Sequence, residues 1–353
     1  MAISFFHSRR WRIIRFYCVG WTFAFIFLSI VRGVGTMELG TLQFDFKSSM
    51  MIAVTLGPLM GFVSGFAQIL VEERIYKYIS IQRLLLLRFL YSLLFLILLT
   101  LLAYGVYELY FGTSIHFWTF AFDTGSGAIY FYVLFVDFFL SALQQISLML
   151  GGTNLWKLMR GKFYSPNEEE RIFMFLDLQS STKLAEKLGH LDYSRFIQDC
   201  FNDLGMAIVN NKAEIYQYVG DEAVLTWPLK DGIKKSHCLE AFFSFKRALK
   251  NKEGYYLKKY GVQPFFKAGM HGGTVTVTEV GKYKKEIAYH GDTLNTAARI
   301  QGQCNALGSE LLLSEAMKTQ LQVNGYNFES KGNVPLKGKE EKVAIYAVVP
   351  STA

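Results

Sequence analysis

Apolar residues are distributed very unevenly along this chain of 353 residues. Four long apolar stretches, at roughly residues 13–31, 50–71, 89–107 and 127–150, fill its first part. Each has, or nearly has, the roughly 20 apolar residues that a helix needs to cross the hydrocarbon core of a bilayer. From Lys157 onward, apolar positions alternate with Lys, Glu, Asp and Gly, as in a soluble domain. The pattern predicts an α-helical transmembrane domain over residues 1–155, followed by a soluble domain.

The alternative for these stretches is a set of buried helices in a large soluble protein. Such helices usually keep a polar stripe, whereas Leu93-Leu94-Phe95-Leu96-Ile97-Leu98-Leu99 has none. Membrane spans are therefore favoured. Asp137 lies inside the fourth span, where a carboxylate is costly unless it meets a partner or water. Two interpretations of Asp137 stay open: a sensing or helix-contact role, and a protonated or water-reached carboxyl without a role in signalling.

Basic residues predict the orientation of the spans, because Lys and Arg concentrate in cytoplasmic loops. They flank the spans on one side, as Arg9, Arg10, Arg12, Arg15, Arg74, Lys77, Arg83, Arg88, Lys157, Arg160 and Lys162. The connection at 111–126 has none, and the first connection has only Arg32 and Lys47. The sequence therefore predicts a multi-pass protein of the cell inner (plasma) membrane, with its N-terminus and its soluble domain in the cytoplasm.

The net charge of +8 does not indicate a nucleic-acid partner, because much of the excess lies beside the apolar stretches. The four cysteines, Cys18, Cys200, Cys238 and Cys304, contain no CxxC pair, which argues against a zinc site. Their scarcity fits a reducing compartment better than a disulfide framework.

In the soluble half, residues 171–178 read as a strand that contains a single acid, Asp177. A helix is predicted over residues 182–210, with an interruption near Gly189. Residues 214–219 and 223–227 are two further apolar runs, and the Gly-Asp pair between them predicts a hairpin turn that carries Asp221. If the strands are neighbours, the two carboxylates could bind hard cations such as Mg²⁺. On spacing alone, Asp221 is better explained as a turn residue.

Three more segments complete the soluble half. Residues 266–273 predict a strand that ends in a turn at Gly272-Gly273, and Gly291 opens a helix in which Asn295 and Arg299 share one face. Leu336-Lys337-Gly338-Lys339 precedes a final strand at residues 343–349.

Taken together and in this order, these segments resemble the catalytic domain of class III adenylate and guanylate cyclases, over about residues 169–349. The resemblance implies an α+β cyclase domain, with a ferredoxin-like or palm-type antiparallel sheet and helices, at residues 169–350. A linker at 156–168 would join it to the membrane domain. A diguanylate cyclase is excluded, because Gly272-Gly273-Thr274 is not its Gly-Gly-Asp/Glu-Glu-Phe signature.

The resemblance also implies site residues. Two Mg²⁺ or Mn²⁺ ions per active site would be held by the metal-binding set Asp177, Leu178 and Asp221. Asn295 would orient the ribose, and Arg299 would stabilise the charge that develops at the α-phosphate. Because the family takes the aspartates from one protomer and the asparagine–arginine pair from the other, the chain is predicted to form a homodimer.

Further residues would bind the nucleoside triphosphate. The resemblance implies that the phosphates are bound by Gln179, Ser180, Ser181, Lys267 and Lys337. At the two positions where adenylate cyclases often place a lysine and an aspartate for the base, this chain has Gln217 and Ala288, and it does not match the guanylate pattern either.

The leading prediction is a membrane-bound enzyme that converts ATP into 3′,5′-cyclic AMP and pyrophosphate. One alternative is the same chemistry on GTP or a pyrimidine triphosphate. The other is a membrane receptor whose cyclase-like domain binds nucleotide but is inactive. The retained Asp177, Asp221, Asn295 and Arg299 argue against this last possibility.

Overall fold

The computed structural model describes residues 2–39, 46–72, 81–111, 116–123, 125–149, 160–321 and 325–351. The chain divides into two compact units, Met1–Met149 and Leu150–Ala353. Among the basic residues used above to orient the spans, Arg74, Lys77 and Lys157 lie outside the described residues.

The first unit is helical. Its helices are α1 (Ala2–Leu39), α2 (Phe46–Leu70), α3 (Ile81–Phe111), the short α4 (Phe117–Ala121) and α5 (Ser126–Met149). Four of them contain a segment long and apolar enough to cross a membrane, at Arg10–Gly33, Phe46–Leu70, Leu90–Tyr110 and Ser126–Met149. The four apolar helices expected from the sequence are confirmed, with bounds shifted by a few residues.

A stripe of small residues brings α1 and α2 into close contact. Gly57, Gly61 and Gly65 recur at every fourth position of α2 and face α1. A Cβ atom at Gly61 would lie 2.3 Å from Cα of Cys18, and one at Gly57 would lie 2.5 Å from Cα of Thr22. Small residues at this spacing allow helix backbones to approach closely, which is how helices associate in a bilayer without a hydrophobic driving force.

Asp137 takes part in a polar contact between three helices. Ser64 on α2 donates a hydrogen bond of 3.1 Å to Oδ1 of Asp137 on α5, and Nε1 of Trp21 on α1 donates to the Ser64 hydroxyl at 3.0 Å. The structure therefore favours the helix-contact interpretation of this carboxylate.

The second unit is an α+β domain. Its strands are β1 (Asn167–Leu178), β2 (Glu214–Val219), β3 (Glu222–Pro228), β4 (Phe266–Val280), β5 (Glu286–His290), β6 (Leu311–Ser314), β7 (Tyr326–Val334) and β8 (Val343–Pro350). Its helices are α6 (Ser181–Asn210), α7 (Leu229–Ile233), α8 (His237–Asn251), α9 (Glu253–Tyr260), α10 (Asp292–Gly302) and α11 (Glu315–Gln320). The predicted kink in α6 is confirmed, since Gly189 has a φ of +72°.

One sheet contains these strands in the order β2-β3-β1-β4-β6-β8-β7, and β5 pairs with the far end of β4. Every described pair is antiparallel except β4–β6, which is parallel. The expectation of an antiparallel sheet therefore holds apart from this one pair, and the sheet is mixed.

Strand β1 is the centre of the domain because both of its faces are covered. Ile172, Met174 and Leu176 lie in the large core that also contains residues of α6 and α8. Phe173 belongs to a smaller cluster on the opposite face with Ala297 of α10. Side chains alternate along a strand, so Asp177 lies on the same face as Phe173, the face of α10.

The glycine turn predicted at Gly272-Gly273 is wrong, because β4 continues without interruption to Val280. These glycines make room for packing instead. A Cβ at Gly272 would lie 2.5 Å from Sδ of Met317, and one at Gly273 would lie 2.8 Å from Oγ1 of Thr293. Strand β1 also begins earlier than expected, at Asn167, so its first residues occupy part of the predicted linker.

The contact between α1 and α2 yields a stability prediction. Gly61→Ala should destabilise the protein by about 1–3 kcal/mol, since the added methyl meets backbone atoms that cannot give way. Thermal unfolding of the full chain in detergent measures this. Gly105→Ala on α3 is the matched control, because a Cβ there meets nothing within 4 Å. Equal effects of the two substitutions would contradict the close contact.

Candidate active site

Two carboxylates lie at the ends of neighbouring strands. Asp177 is the penultimate residue of β1, and Asp221 lies in the β2–β3 turn, where Gly220 has a φ of +63°. Strands β1 and β3 are paired, with Asp177 opposite Glu222. Burial and the negative charge of Asp221 raise the pKa of Asp177 above its usual value. The condition set by the sequence, that these strands be neighbours, is met.

A third carboxylate, Glu222, adds to this negative charge and was not anticipated from the sequence. Burial first, and then the charges of Asp177 and Asp221, raise its pKa to about 7. The run Gly-Asp-Glu was the available signal, but β-strand alternation alone does not reveal that Glu222 faces Asp177 across the strands.

A buried arginine fixes the hairpin to β1. Arg171 is 1% exposed and forms ion pairs with Glu169 (2.9 Å) and with Glu214 of β2. Its Nε donates to Oγ1 of Thr226 on β3 at 3.1 Å. The position of the Asp221 turn relative to Asp177 therefore depends on a charge network that spans three strands.

The carboxylates suit a hard cation but do not enclose one. Within the described ranges, no group of three or more His, Cys, Asp or Glu side chains is arranged to hold a metal ion. Mg²⁺ usually binds one or two carboxylates and completes its coordination with water and substrate phosphates. Leu178 was also predicted as a metal ligand. Its side chain is buried in the core, so only its backbone carbonyl could contribute.

The phosphate-binding segment predicted after Asp177 forms the start of α6. The backbone amide of Gln179 donates to the carbonyl of Phe265 at 2.9 Å and therefore already has an acceptor within the domain. Ser180 adopts a left-handed conformation, with a φ of 59°, just before the helix. The first amides of a helix have no intrahelical acceptor, so this segment can still offer donors to an anion.

The two predicted phosphate-binding lysines differ in their surroundings. Lys267 lies at the start of β4, opposite Asp177, and Nζ donates to Oδ1 of Asn305 at 2.7 Å. Lys337 is exposed. In its segment it is Lys339 that reaches α10, through an ion pair of 2.5 Å with Asp292.

Helix α10 carries the predicted catalytic pair. Asn295 is exposed, and the Arg299 guanidinium lies 3.9 Å from a carboxylate oxygen of Asp292. Its Nη1 is shielded from solvent and finds no hydrogen-bond acceptor among the residues that the structure describes. The hydrogen bond from Lys339 lowers the pKa of Asp292 and so keeps this neighbour charged. A buried guanidinium donor without an acceptor is suited to an anionic ligand.

The opposite side of α10 contacts the end of β1 that carries Asp177. Nε2 of Gln301 donates to Oδ2 of Asp177 at 3.2 Å. Residues two apart on a helix face different directions, so Arg299 and Gln301 point to different regions. Within one chain, α10 therefore directs the side-chain amide of Gln301 to Asp177 and the guanidinium of Arg299 away from it.

The predicted base-recognition residues lie on two different strands. Gln217 is an exposed residue of β2, next to an irregularity in its pairing with β3. Ala288 is half-buried on β5, where it pairs with Thr278. Neither position carries a charge, so these two residues offer no ionic selection of the base.

Comparison with known proteins agrees with this arrangement. A family model described as the adenylate and guanylate cyclase catalytic domain matches residues 163–349. The chain belongs to this family. The class III cyclase resemblance noted from the motifs is therefore confirmed.

Two relatives and one solved structure illustrate the likeness. The chain is 32% identical over 201 residues to adenylate cyclase 2 of Rhizobium meliloti (strain 1021), which covers 57% of this chain and 55% of that protein. It is 26% identical over 186 residues to an adenylate cyclase of Anabaena cylindrica, covering 50% and 36%. A bacterial light-regulated adenylyl cyclase matches in structure with a TM-score of 0.55 and 16% identity, over 65% of this chain and 67% of that one. The chain thus spans about half the length of the first relative.

The pKa of Glu222 yields a prediction on stability against pH. Because the folded pKa of about 7 lies above the ordinary 4.5, the unfolded state ionises first, and stability falls as pH rises from about 4.5 to about 7. Glu222→Gln removes the ionising group. The variant should therefore match the wild type near pH 4.5 and exceed its stability by roughly 1–2 kcal/mol at pH 8, after allowance for partial exposure.

Thermal unfolding of the full chain between pH 4.5 and pH 8 measures this difference. Glu340→Gln, at an exposed position, is the control and should leave the pH profile unchanged. A Glu222→Gln profile parallel to that of the wild type would show that the carboxylate is not held at raised pKa.

Proposed function

We propose that this protein is a membrane-bound nucleotidyl cyclase that converts a nucleoside triphosphate, with ATP as the leading substrate, into a 3′,5′-cyclic nucleotide and pyrophosphate. The observation that carries the proposal is the pairing of β1 with β3, which places Asp177 beside the Asp221 hairpin. The donor of Arg299 that lacks an acceptor supports it.

The reaction forms a bond between the ribose 3′-oxygen and the α-phosphorus and breaks the bond between the α-phosphorus and its bridging oxygen to the β-phosphate. The 3′-hydroxyl loses its proton, and pyrophosphate leaves with the bonding electrons. Two Mg²⁺ or Mn²⁺ ions per site, held by Asp177 and Asp221, would acidify the hydroxyl and neutralise the phosphates. Arg299 donates to the α-phosphate as charge builds there, and Asn295 orients the ribose. Lys267, Lys337 and the amides at Ser180 and Ser181 hold the triphosphate.

A homodimer would supply both halves of each site. Since α10 points Gln301 at Asp177 of its own chain, Arg299 is directed away from that carboxylate. A two-fold axis could bring the Asn295–Arg299 pair of one protomer to the aspartates of the other and form two equivalent sites.

The membrane part of the proposal comes from the four apolar helices and the basic residues that flank them. We propose that the chain crosses the inner (plasma) membrane four times and keeps its N-terminus and catalytic domain in the cytoplasm. The membrane domain would set the geometry of the dimer.

The first experiment identifies the product. The purified full chain, with Mg²⁺ or Mn²⁺, should convert one of ATP, GTP, CTP or UTP into its cyclic form, detected by mass spectrometry. Asp221→Ala should abolish the activity, because a carboxylate is lost where the cations would bind. If no triphosphate is cyclised under any of these conditions, an inactive nucleotide-binding domain is the better description.

Mixing inactive variants tests whether sites are shared. Asp177→Asn and Arg299→Ala should each be inactive alone. Equal mixing should recover about a quarter of wild-type activity, since half of the dimers are mixed and each has one intact site. Asp177→Asn mixed with Asp221→Ala is the control and should recover nothing, because both changes affect the same half-site. No recovery in the first mixture would contradict shared sites.

GTP or a pyrimidine triphosphate stays a second candidate substrate, since Gln217 and Ala288 depart from the adenylate pattern. An amide offers both a donor and an acceptor and does not by itself select one base. The names of the relatives favour ATP.

Introducing the lysine and the aspartate that adenylate cyclases often place at positions 217 and 288 should increase the selectivity for adenine. Gln217→Lys combined with Ala288→Asp is expected to raise the preference for ATP over GTP, as the ratio of kcat/KM values, by about tenfold or more. Gln217→Glu is the matched comparison and should not favour ATP. An unchanged ratio in the double variant would place base recognition elsewhere.

A further inference from the structure

Asp177 and Lys267 have opposite charges and are directly opposite each other in the sheet. They are Cα partners in the antiparallel pairing of β1 with β4, so their side chains project from the same face. Opposite charges in this arrangement ordinarily pair. Among the described residues, however, the ion pairs include none between these two, and both groups have neutral partners instead.

The two partners are amide side chains four residues apart. Gln301 donates to Oδ2 of Asp177 at 3.2 Å, and Asn305 accepts from Nζ of Lys267 at 2.7 Å. Gln301 lies in the last turn of α10, which ends at Gly302, and Asn305 lies in the turn that follows, where the backbone amide of Cys304 donates to the carbonyl of Gln301 at 3.0 Å. The end of α10 and the turn after it therefore bring both side-chain amides to the two adjacent strands, Gln301 to β1 and Asn305 to β4.

Close packing holds this segment against β4. A Cβ at Gly269 would lie 2.1 Å from the backbone nitrogen of Gln301, which leaves no space between helix and strand. Sγ of Cys304 donates to the carbonyl of Ala268 at 3.3 Å. The backbone at Gln301, and Cys304 next to Asn305, are thus held by contacts with β4 that do not involve the two charged groups.

We propose that Gln301 and Asn305 are positioning residues that keep Asp177 and Lys267 from forming an ion pair with each other. A neutral amide orients a charged group without cancelling its charge. The carboxylate stays available for a cation and the ammonium for a phosphate. This inference takes the identity of the ligands, a cation and a phosphate, from the proposed function. The contacts of Gln301 and Asn305 themselves do not depend on catalysis.

The test is a double-mutant cycle on Mn²⁺ binding, measured by electron paramagnetic resonance on the full-length protein in detergent without nucleotide. Gln301→Ala should weaken Mn²⁺ binding on the order of tenfold, as loss of an outer partner of a metal ligand typically does. Asn305→Ala should also weaken it, since the released Lys267 can then pair with Asp177. In a Lys267→Met background, Asn305→Ala should have no effect.

Two further variants separate positioning from loss of folding. Asn305→Asp keeps the shape and still holds Lys267, but neutralises it. It should leave Mn²⁺ binding no weaker while reducing affinity for 3′-deoxyadenosine triphosphate, which lacks the attacking hydroxyl. Gln303→Ala, at an amide between the two positions, is the control and should change neither measurement.

Additive effects of Asn305→Ala and Lys267→Met on Mn²⁺ affinity would overturn the proposal, as would an Asn305→Ala protein that binds Mn²⁺ like the wild type. These results are distinct from failure of the proposed function. A wild type without cyclase activity but with the expected cycle would refute the reaction and keep the positioning role. A wild type with cyclase activity, but without coupling between Asn305→Ala and Lys267→Met in Mn²⁺ affinity, would keep the reaction and refute the positioning role.

Discussion

The architecture of the site depends on the concentration of negative charge at one end of β1 and β3. Burial first, and then the charges that Asp177, Asp221 and Glu222 place near one another, raise the pKa values of Asp177 and Glu222. Such a cluster disfavours folding unless a cation binds. Arg171 holds the hairpin against β1 through its ion pair with Glu214, and the neutral Gln301 amide donates a hydrogen bond to Asp177 without cancelling its charge.

Helix α10 connects the parts of the site. One side holds Asn295 and Arg299, while the other packs against β4 without a gap and reaches Asp177 through Gln301. In a dimer with shared sites, one helix would then contact both active centres, with a different side chain in each. A displacement of α10 would alter both centres together, since Gly269 and Gly273 leave no room for the helix to adjust separately.

The helical unit is held together in a different way. Its glycine stripe lets the backbones of α1 and α2 touch, and the Trp21–Ser64–Asp137 contact adds hydrogen bonds between three helices. Both are contacts between specific residues, and the length of an apolar stretch encodes neither of them. The apolar surface that marks these helices in the sequence therefore does not specify how they pack.

The sequence by itself determined the class of the protein and most of its elements. Apolar runs of sufficient length predicted the four membrane helices, and alternation with turn residues predicted β1, the β2–β3 hairpin, α10 and β8, because these signals are local. The motifs also identified the candidate metal and catalytic residues. Local signals failed at Gly272-Gly273, where glycine serves close packing against Met317 and Thr293 rather than a turn.

Only the tertiary structure decided which side chains meet. Glu222 faces Asp177 because β1 and β3 pair in one register. Gln301 and Asn305 reach Asp177 and Lys267 because α10 and the turn after it lie tightly against β4. These contacts join residues 38 to 124 positions apart. No periodicity along the chain encodes such distances, since they follow from strand order and helix packing.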